Sequence, residues 1–260
     1  MPPLSSVAQD YLKAVWNAGE WSSQALTVKQ LARRLGVTQG TASEGVRRLA
    51  ESGYIAHERY GRVELTEAGR LAALAVVRRH RLVETLLVDT FGYAWDEVHE
   101  EAEILEHAIS DELLRRIDAH LGHPTHDPHG DPIPSADGVI TIPEARTLGE
   151  LEAGECGVVS RVSDADPELL QRLAVGGVVP GRHVVVVDRD EASALAMLAA
   201  SPHVDRVDGT DDAGADGDAG ADGTRATGAQ GAAGTSVVPA GTKLQPYGLP
   251  ALRAVWVTPG

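Results

Sequence analysis

Residues 80–107 limit the possible folds and functions of this chain more than any other segment. His80 and Glu84 are four residues apart, and a second set of histidines and glutamates follows beyond Gly92. Side chains three or four residues apart share one face of an α-helix, so each set lies on one helical face. The second set consists of His99, Glu103, Glu106 and His107. Two facing helices with such side chains form transition-metal pockets in helical bundles.

Each histidine taken alone is more simply explained as a solvated residue or as a hydrogen-bonded core residue. Chance seldom places two His/Glu pairs at helical spacing on consecutive helices, so the combination favours a metal site. The neighbouring Glu100 and Glu101 are expected to be solvated.

The segment upstream of this pocket has the pattern of a helix-turn-helix. Residues 5–18 place apolar side chains at helical spacing, a second helix begins near Thr27, and Gly36 allows a tight turn before the next helix. Two short helices joined by such a turn are typical of this DNA-binding motif. The last helix begins with small polar residues that can enter a major groove, and arginines suited to phosphate contacts follow. The expected DNA-contacting residues of this helix are Thr38, Gln39, Gly40, Thr41, Ser43, Arg47 and Arg48.

A wing is predicted directly after this helix. Residues 54–69 alternate like two strands around a Tyr-Gly turn, and Arg59 and Arg62 near its tip would contact the DNA backbone or minor groove. The net charge of −15 does not exclude DNA binding, because residues 1–75 contain nine Lys and Arg against seven Asp and Glu. The alternative is a winged helix that serves only protein contacts.

The composition indicates a cytoplasmic protein with no membrane partner. Cys156 is the only cysteine, which excludes an intramolecular disulfide framework and an all-thiolate zinc site. The first residues lack the basic and apolar regions of a secretory signal, and there is no run of about 18 apolar residues.

Residues 123–145 are predicted to form an extended linker, because they contain five prolines and no hydrophobic periodicity. The three histidines of this segment could bind a metal, but a proline-spaced linker seldom holds such residues together. They are His123, His126 and His129.

Residues 146–260 predict a β-rich domain, since they alternate as strands around a short helix that begins at Pro167. An insertion at about 205–236 repeats the sequence DAGADG and carries seven Asp against one Arg over 205–222. It lacks the apolar positions that would fold it, so we expect disorder rather than calcium loops.

With these motifs the chain resembles the diphtheria toxin repressor family of iron- and manganese-dependent regulators. The resemblance rests on DYL at 10–12, VTQGTASEGVRRL at 37–49, RRHRLVETLL at 78–87, VHEEAEILEHAISDELLRRI at 98–117 and GDPIP at 130–134. It implies a mostly α-helical chain with a β C-terminal domain. The implied domains are a winged helix-turn-helix at 1–75, a helical dimerisation and metal-binding domain at 76–122, the linker at 123–145 and an SH3-like β-barrel at 146–260.

The resemblance also implies two metal sites. The ligands of a primary regulatory site match Asp10, Glu103, Glu106 and His107. An ancillary site takes His80, Glu84, His99 and a residue of the third domain, for which we expect Asp166 or Asp164. Asp166 has an equally good alternative role as the N-cap of the short helix. Lys13 stands where some two-domain manganese regulators have a carboxylate, which favours two separated sites over a closely spaced pair of ions.

Asp10 and Glu103 indicate the metal. Iron-responsive family members have Met and Cys at these positions and manganese-responsive members have Asp and Glu, in keeping with the preference of hard Mn²⁺ for carboxylates. The sequence therefore predicts a homodimeric repressor, not an enzyme, that Mn²⁺ activates to bind palindromic operators in double-stranded DNA. We expect it to control manganese homeostasis genes, to accept Co²⁺ or Zn²⁺ in vitro and to bind no small organic substrate.

Two alternatives remain open at this point. One is an iron(II)-responsive regulator of the same family. The other is a di-metal carboxylate enzyme, which would need paired Glu-x2-His motifs that these helices lack.

Overall fold

The computed structural model describes residues 4–20, 26–57, 62–190, 195–200 and 244–259. Two compact units make up the chain: residues 1–144 with 161–171, and residues 145–160 with 172–260. The predicted wing residue Arg59 and the acidic insertion at 205–236 lie outside the described residues.

The first unit is helical with one small sheet. Its elements are α1 (Ser6–Glu20), α2 (Val28–Arg34), α3 (Gln39–Glu51), β1 (Ile55–His57), β2 (Val63–Leu65), α4 (Glu67–Phe91), α5 (Val98–Leu105) and α6 (Asp111–His120). Strands β1 and β2 pair antiparallel with Ile55 opposite Leu65, which confirms the two strands expected for a wing.

Local capping explains the start of each helix in the helix-turn-helix. The Thr27 side chain accepts a hydrogen bond from the Gln30 amide, and the Gln30 side chain accepts one from the Thr27 amide, so both residues form a capping box. The Thr38 side chain accepts a hydrogen bond from the Thr41 amide at 3.1 Å and caps the start of α3. Gly36 has a φ of 63°, a conformation that glycine adopts without strain, and this ends α2.

Helix α4 contributes side chains to three hydrophobic clusters of the first unit. Its first half packs Ala73 into the core of the helix-turn-helix, which also contains the following buried residues: Leu12, Leu31, Val46 and Ile55. Its second half packs Val83 and Leu87 against α5, and Leu82 against α6. The domain boundary predicted at residue 75 therefore falls inside one continuous helix.

Residues 123–145 contain no helix or strand, as their prolines predict, but they do not all extend through solvent. Asp127, His129 and Asp131 are buried, with exposed fractions of 7%, 1% and 4%. The Asp127 amide donates to the Asp131 carbonyl oxygen, and an isolated bridge joins His126 to Pro132. The expectation of an extended spacer is therefore wrong for this stretch, which forms a tight loop.

The second unit is built on a sheet of the strands β3 (Arg146–Thr147), β4 (Cys156–Val162), β5 (His183–Asp190), β6 (Leu195–Ala200), β7 (Leu244–Gly248) and β8 (Val255–Pro259). Their order in the sheet is β3-β8-β4-β5-β6-β7. Helix α7 (Pro167–Val175) begins in the first unit and ends in the second, and helix α8 (Leu249–Ala254) precedes β8. Strands β5 and β6 pair antiparallel with an irregularity between Val186 and Asp188. A helical N-terminal part and a β-rich C-terminal domain confirm the predicted fold class. Within the described residues, no helix is both long and apolar enough to cross a lipid bilayer.

Candidate metal centre

One group of potential ligands joins α4, α5 and the loop before α7. Glu84 follows His80 by one turn of α4, and its Oε1 lies 3.0 Å from His80 Nε2 and 3.3 Å from His99 Nδ1. His99 Nδ1 is also 3.1 Å from Oδ2 of Asp164, which belongs to the segment of the first unit at 161–171. Ligand atoms of these four residues all lie within 4.8 Å of one another. The predicted ancillary residues on the two helices are thus brought together.

Asp164, and not Asp166, completes this group. The Asp166 carboxylate instead accepts a hydrogen bond from the Leu169 amide at 3.1 Å and caps α7. The expectation of Asp166 as a ligand is corrected accordingly. Sequence could not separate the two residues, because both precede the same helix and only one reaches His99.

A second group joins α1 to the end of α5. It contains Asp10, Glu106 and His107, with His107 Nε2 at 2.7 Å from Asp10 Oδ1 and 3.3 Å from Glu106 Oε1. His107 Nδ1 lies 3.1 Å from the amide oxygen of Gln9. Without a metal the Asp10 carboxylate accepts a hydrogen bond from Nε2. A bound cation would take the place of that proton, while a proton on Nδ1 satisfies the Gln9 oxygen, which is the arrangement of a metal-binding histidine.

Lys13 places a positive charge between the carboxylates of Glu103 and Glu106. Lys13 is buried, with 6% of the residue exposed. Its ammonium lies 2.6 and 2.8 Å from the two oxygens of Glu106 and 2.7 Å from Glu103 Oε1. Glu103, the remaining predicted primary ligand, is held by Lys13 outside the Asp10–Glu106–His107 set. Its carboxylate instead forms a further group of potential ligands with Glu106 and His80. Burial opposes the charge on Lys13, but attraction and hydrogen bonds from Glu106 and Glu103 outweigh it and raise the pKa of the amine.

The two groups are connected by His80, because its Nδ1 lies 2.7 Å from Glu106 Oε2. Burial disfavours the imidazolium, yet Glu84 and Glu106 together raise the pKa of His80 to about 9. The hydrogen bond to Asp164, with Glu84 close by, raises the pKa of His99 to about 10. Burial opposes the charge on Glu84, but His80 and His99 outweigh it and lower its pKa to about 2. Protons therefore occupy these imidazoles at neutral pH, and a metal cation must displace them.

The chemistry of both donor groups fits a divalent metal of the first transition row. Each group combines imidazole nitrogen with carboxylate oxygen, and no cysteine belongs to any such group among the described residues. These donors suit Mn²⁺, Fe²⁺, Co²⁺ and Zn²⁺, and no soft thiolate favours one of them.

A network around Arg81 was not anticipated from the sequence. The Arg81 guanidinium donates to both oxygens of Glu20 at 2.7 and 3.0 Å and lies 3.5 Å from Asp127 and from Asp131. Arg161 also contacts Asp131. These pairs tie the end of α1 and the buried loop to α4. An arginine and an aspartate 46 or 50 residues apart leave no periodic signal that could have revealed them.

The proposed DNA-reading residues lie at the exposed start of α3. Thr38, Gln39, Gly40, Thr41 and Ser43 are all exposed, although the Thr38 hydroxyl also serves as the cap and lies 2.9 Å from the Thr41 hydroxyl.

The arginines that follow are exposed but already paired on α3. Arg47 contacts both Glu44 and Glu51, and Arg48 Nε lies 2.8 Å from Glu44 Oε1. A DNA phosphate would have to compete with Glu44 for both side chains. Arg62 is exposed beside β2.

Three descriptions of known domains match successive parts of the chain. Residues 3–63 match "Iron dependent repressor, N-terminal DNA binding domain", and residues 66–135 match "Iron dependent repressor, metal binding and dimerisation domain". Residues 146–198 match "FeoA domain", which agrees with the predicted SH3-like module.

Similar proteins are metal-dependent repressors. The iron-dependent repressor IdeR of Mycobacterium tuberculosis is 36% identical over 198 residues, covering 72% of this chain and 86% of IdeR. The diphtheria toxin repressor of Corynebacterium diphtheriae is 30% identical over 73% of this chain and 88% of its own length. A solved structure described as a manganese-dependent transcriptional repressor complex with manganese is 43% identical, with a TM-score of 0.80 and coverage of 97% of this chain and 100% of that chain.

These matches set aside the di-metal enzyme, because proteins of this kind are repressors and not enzymes. They agree with the groups of potential metal ligands on the helices and with the capped helix-turn-helix. The chain belongs to the diphtheria toxin repressor family and is a metal-dependent transcriptional repressor.

Proposed function

We propose that Mn²⁺ is the metal that activates this repressor. The observation that carries the proposal is the donor set beside α1, in which Asp10, Glu106 and His107 supply two carboxylates and one imidazole. Glu103 adds a carboxylate next to this set. Hard oxygen donors suit Mn²⁺, whereas thiolate or thioether donors favour softer metals. The similarity to a solved manganese-dependent repressor supports the same choice.

Helix α1 would carry the effect of the metal to the DNA-reading helix. A divalent cation bound by Asp10 and His107 would join α1 to the end of α5 by coordination bonds. The next residue, Tyr11, donates a hydrogen bond from its hydroxyl to the Thr41 carbonyl oxygen at 3.2 Å. Its ring also packs on Gly45, where an added Cβ would lie 2.5 Å from a ring carbon. The position of α1 therefore sets the position of α3.

We further propose that the repressor acts in the cytoplasm as a homodimer on a palindromic operator. The match to a dimerisation domain over residues 66–135 supports this, as do two large apolar side chains exposed on the helical unit. Phe91 is 65% exposed and Ile104 is 69% exposed. Two copies of α3 about 34 Å apart would then read successive turns of the major groove.

Operator binding titrated with Mn²⁺, Fe²⁺, Co²⁺ and Zn²⁺ tests the choice of metal. The double variant Asp10→Met with Glu103→Cys replaces hard donors by soft ones, and we expect it to need at least about tenfold more Mn²⁺ and to respond better to Fe²⁺ or Co²⁺. The control is Glu100→Cys, which adds a thiol at an exposed position of α5. An unchanged metal ranking in the double variant would contradict the assignment.

An iron(II)-responsive repressor is the second candidate, favoured by the 36% identity to IdeR. The same titration separates the two. If the unaltered protein binds its operator at lower free Fe²⁺ than Mn²⁺ under anaerobic conditions, the iron assignment replaces the manganese one.

A further inference from the structure

Another group of potential ligands, all of them buried, lies on the other oxygen of Glu84. Oε1 of this carboxylate faces His80 and His99, whereas Oε2 lies 3.9 Å from Nδ1 of His129. Glu84, Asp127 and His129 each offer one ligand atom within 4.8 Å of the others, and all three residues are buried. One carboxylate therefore separates two sets of donors.

The His129 ring is held with one nitrogen directed at this group. Its Nε2 lies 2.6 Å from the carbonyl oxygen of Trp95, and the ring stacks on the Trp95 indole with centroids 5.7 Å apart. A carbonyl only accepts hydrogen bonds, so the proton belongs on Nε2 and Nδ1 presents a lone pair in the neutral ring. Nδ1 is buried without a hydrogen-bond partner in a residue that is 1% exposed. Buried polar atoms are rarely left so, because the loss of hydration is uncompensated.

This arrangement is the one in which histidines bind metals. One ring nitrogen donates to a backbone carbonyl and fixes the ring, while the other points at the ion. An unpaired buried nitrogen that faces two carboxylates is therefore a ligand position prepared in advance.

The loop that carries His129 is rigid enough to prepare such a position. Oδ1 of Asp127 accepts from the amides of His129 and Asp131, each at 2.9 Å. The Gly130 amide donates to the Asp127 carbonyl oxygen, and the Val162 amide donates to the His129 carbonyl oxygen. These four hydrogen bonds fix both side chains relative to each other.

The charges nearby allow a cation on one side of Asp127. Arg81 Nε lies 3.5 Å from Asp127 Oδ2, so a cation would bind away from the guanidinium, towards Glu84 and His129. Both oxygens of Glu20 already hold the end of the Arg81 guanidinium at 2.7 and 3.0 Å, which ties that charge to α1.

We propose that Glu84, Asp127 and His129 form a third divalent-cation site, with Glu84 bridging it to the ion of the His80–His99–Asp164 group. Two carboxylates and one imidazole suit Mn²⁺ and its first-row neighbours. The site attaches the loop at 127–131 to α4. It deepens the proposed function, since the same metal occupies it, but it shares no residue with the Asp10–Glu106–His107 set on which that function rests.

Counting bound ions tests this proposal directly. The full-length protein is dialysed against Mn²⁺, and the bound metal is measured per chain for the unaltered protein, for His129→Gln and for Asp127→Asn. Gln can still donate to the Trp95 carbonyl, and Asn keeps the oxygen that accepts both amides, so each change removes a ligand with little loss of loop structure. His126→Gln is the matched control, because His126 is exposed in the same loop.

We expect three Mn²⁺ per chain in the unaltered protein and in the control, and two in each of the other variants with an unchanged circular dichroism spectrum. If His129→Gln does not fold, Asp127→Asn decides the matter alone. Two ions in every protein, or three in both loop variants, would overturn the third site. The proposed function is tested separately with His107→Ala and His99→Ala, which remove a ligand from each of the two other groups. If the number of bound Mn²⁺ ions does not fall in these variants, the proposed function fails whatever the loop variants show.

Discussion

Replacing Lys13 by Met is expected to tighten Mn²⁺ binding. The Lys13 ammonium lies 2.6 Å from Glu106 Oε1, an oxygen that also belongs to the Asp10–Glu106–His107 group. A metal at the usual distance of about 2.2 Å from this oxygen would be at most about 4.8 Å from the ammonium. Methionine has a similar length and no charge, so Lys13→Met removes the repulsion and keeps most of the packing.

The size of the effect follows from these distances. A doubly and a singly charged cation about 4.8 Å apart repel by about 7 kcal/mol at an effective dielectric constant of 20. Lys13 can relieve this by moving towards Glu103, whose side chain is 40% exposed, at the cost of its bonds to Glu106. Such charge-assisted bonds contribute about 1.5–3 kcal/mol. Giving them up costs less than tolerating the repulsion, so this smaller energy is the amount by which Lys13 weakens Mn²⁺ binding. We therefore expect Mn²⁺ to bind Lys13→Met roughly ten- to a hundredfold more tightly.

Calorimetric titration with Mn²⁺ in the absence of DNA measures this affinity. Lys29→Met is the control, because Lys29 is an exposed lysine on α2 and should leave the affinity unchanged. The metal-free Lys13→Met protein should also melt at a lower temperature, since Glu106 loses its buried partner, and Mn²⁺ should restore the difference. Equal or weaker Mn²⁺ binding by Lys13→Met would show that the ammonium does not compete with the metal.

Three further predictions concern protons, DNA and packing. Since the pKa values of His80 and His99 are raised to about 9 and about 10, their protonation stabilises the metal-free fold below pH 6.5 and this contribution is lost as pH rises to 9–10. The melting temperature measured in EDTA should therefore fall between pH 7 and pH 10. Calorimetry in two buffers should detect about two protons released on Mn²⁺ binding at pH 7, and no release would contradict the ligand roles of both imidazoles. Arg48→Ala should weaken binding to operator and random DNA alike, and should reduce by about one unit the slope of the logarithm of the binding constant against the logarithm of the salt concentration. Gln39→Ala should instead change the preference among operator sequences. If the Gln39 variant discriminates between sequences as the wild type does, α3 does not read bases at that position. Gly69→Ala should lower the free energy of unfolding by more than about 2 kcal/mol in denaturant titrations, because an added Cβ would lie 1.9 Å from the Tyr54 carbonyl oxygen. Gly19→Ala on α1 is the control, since Gly19 has open space where the Cβ would be added.

Local signals in the sequence predicted most of the helical unit. Thr27 and Thr38 cap their helices, and Gly36 and Gly92 take positive φ where the helices end, because these preferences depend on a few neighbouring residues. The facing histidines and glutamates of α4 and α5 were also predictable from helical spacing.

Contacts between distant residues could not be predicted in this way. Lys13 lies 90 residues from Glu103, and nothing near it in the sequence indicates that its ammonium meets two glutamates. The segment around His129 was expected to be an extended linker because of its prolines, whereas Arg81 and the stack on Trp95 bury it. Only one missed feature had a local signal: Glu44 is three and four residues from Arg47 and Arg48, the spacing of helical ion pairs.

Operator binding as a function of free Mn²⁺ shows whether the two donor groups have different roles. The unaltered protein, His107→Ala and His99→Ala are compared in the same assay. His107→Ala should lose metal-dependent operator binding altogether, because His107 belongs to the group that holds α1. His99→Ala should bind the operator fully but at a higher Mn²⁺ concentration, since its group joins only α4, α5 and the loop with Asp164. Equal loss in both variants would contradict separate roles for the two groups and indicate a single shared site.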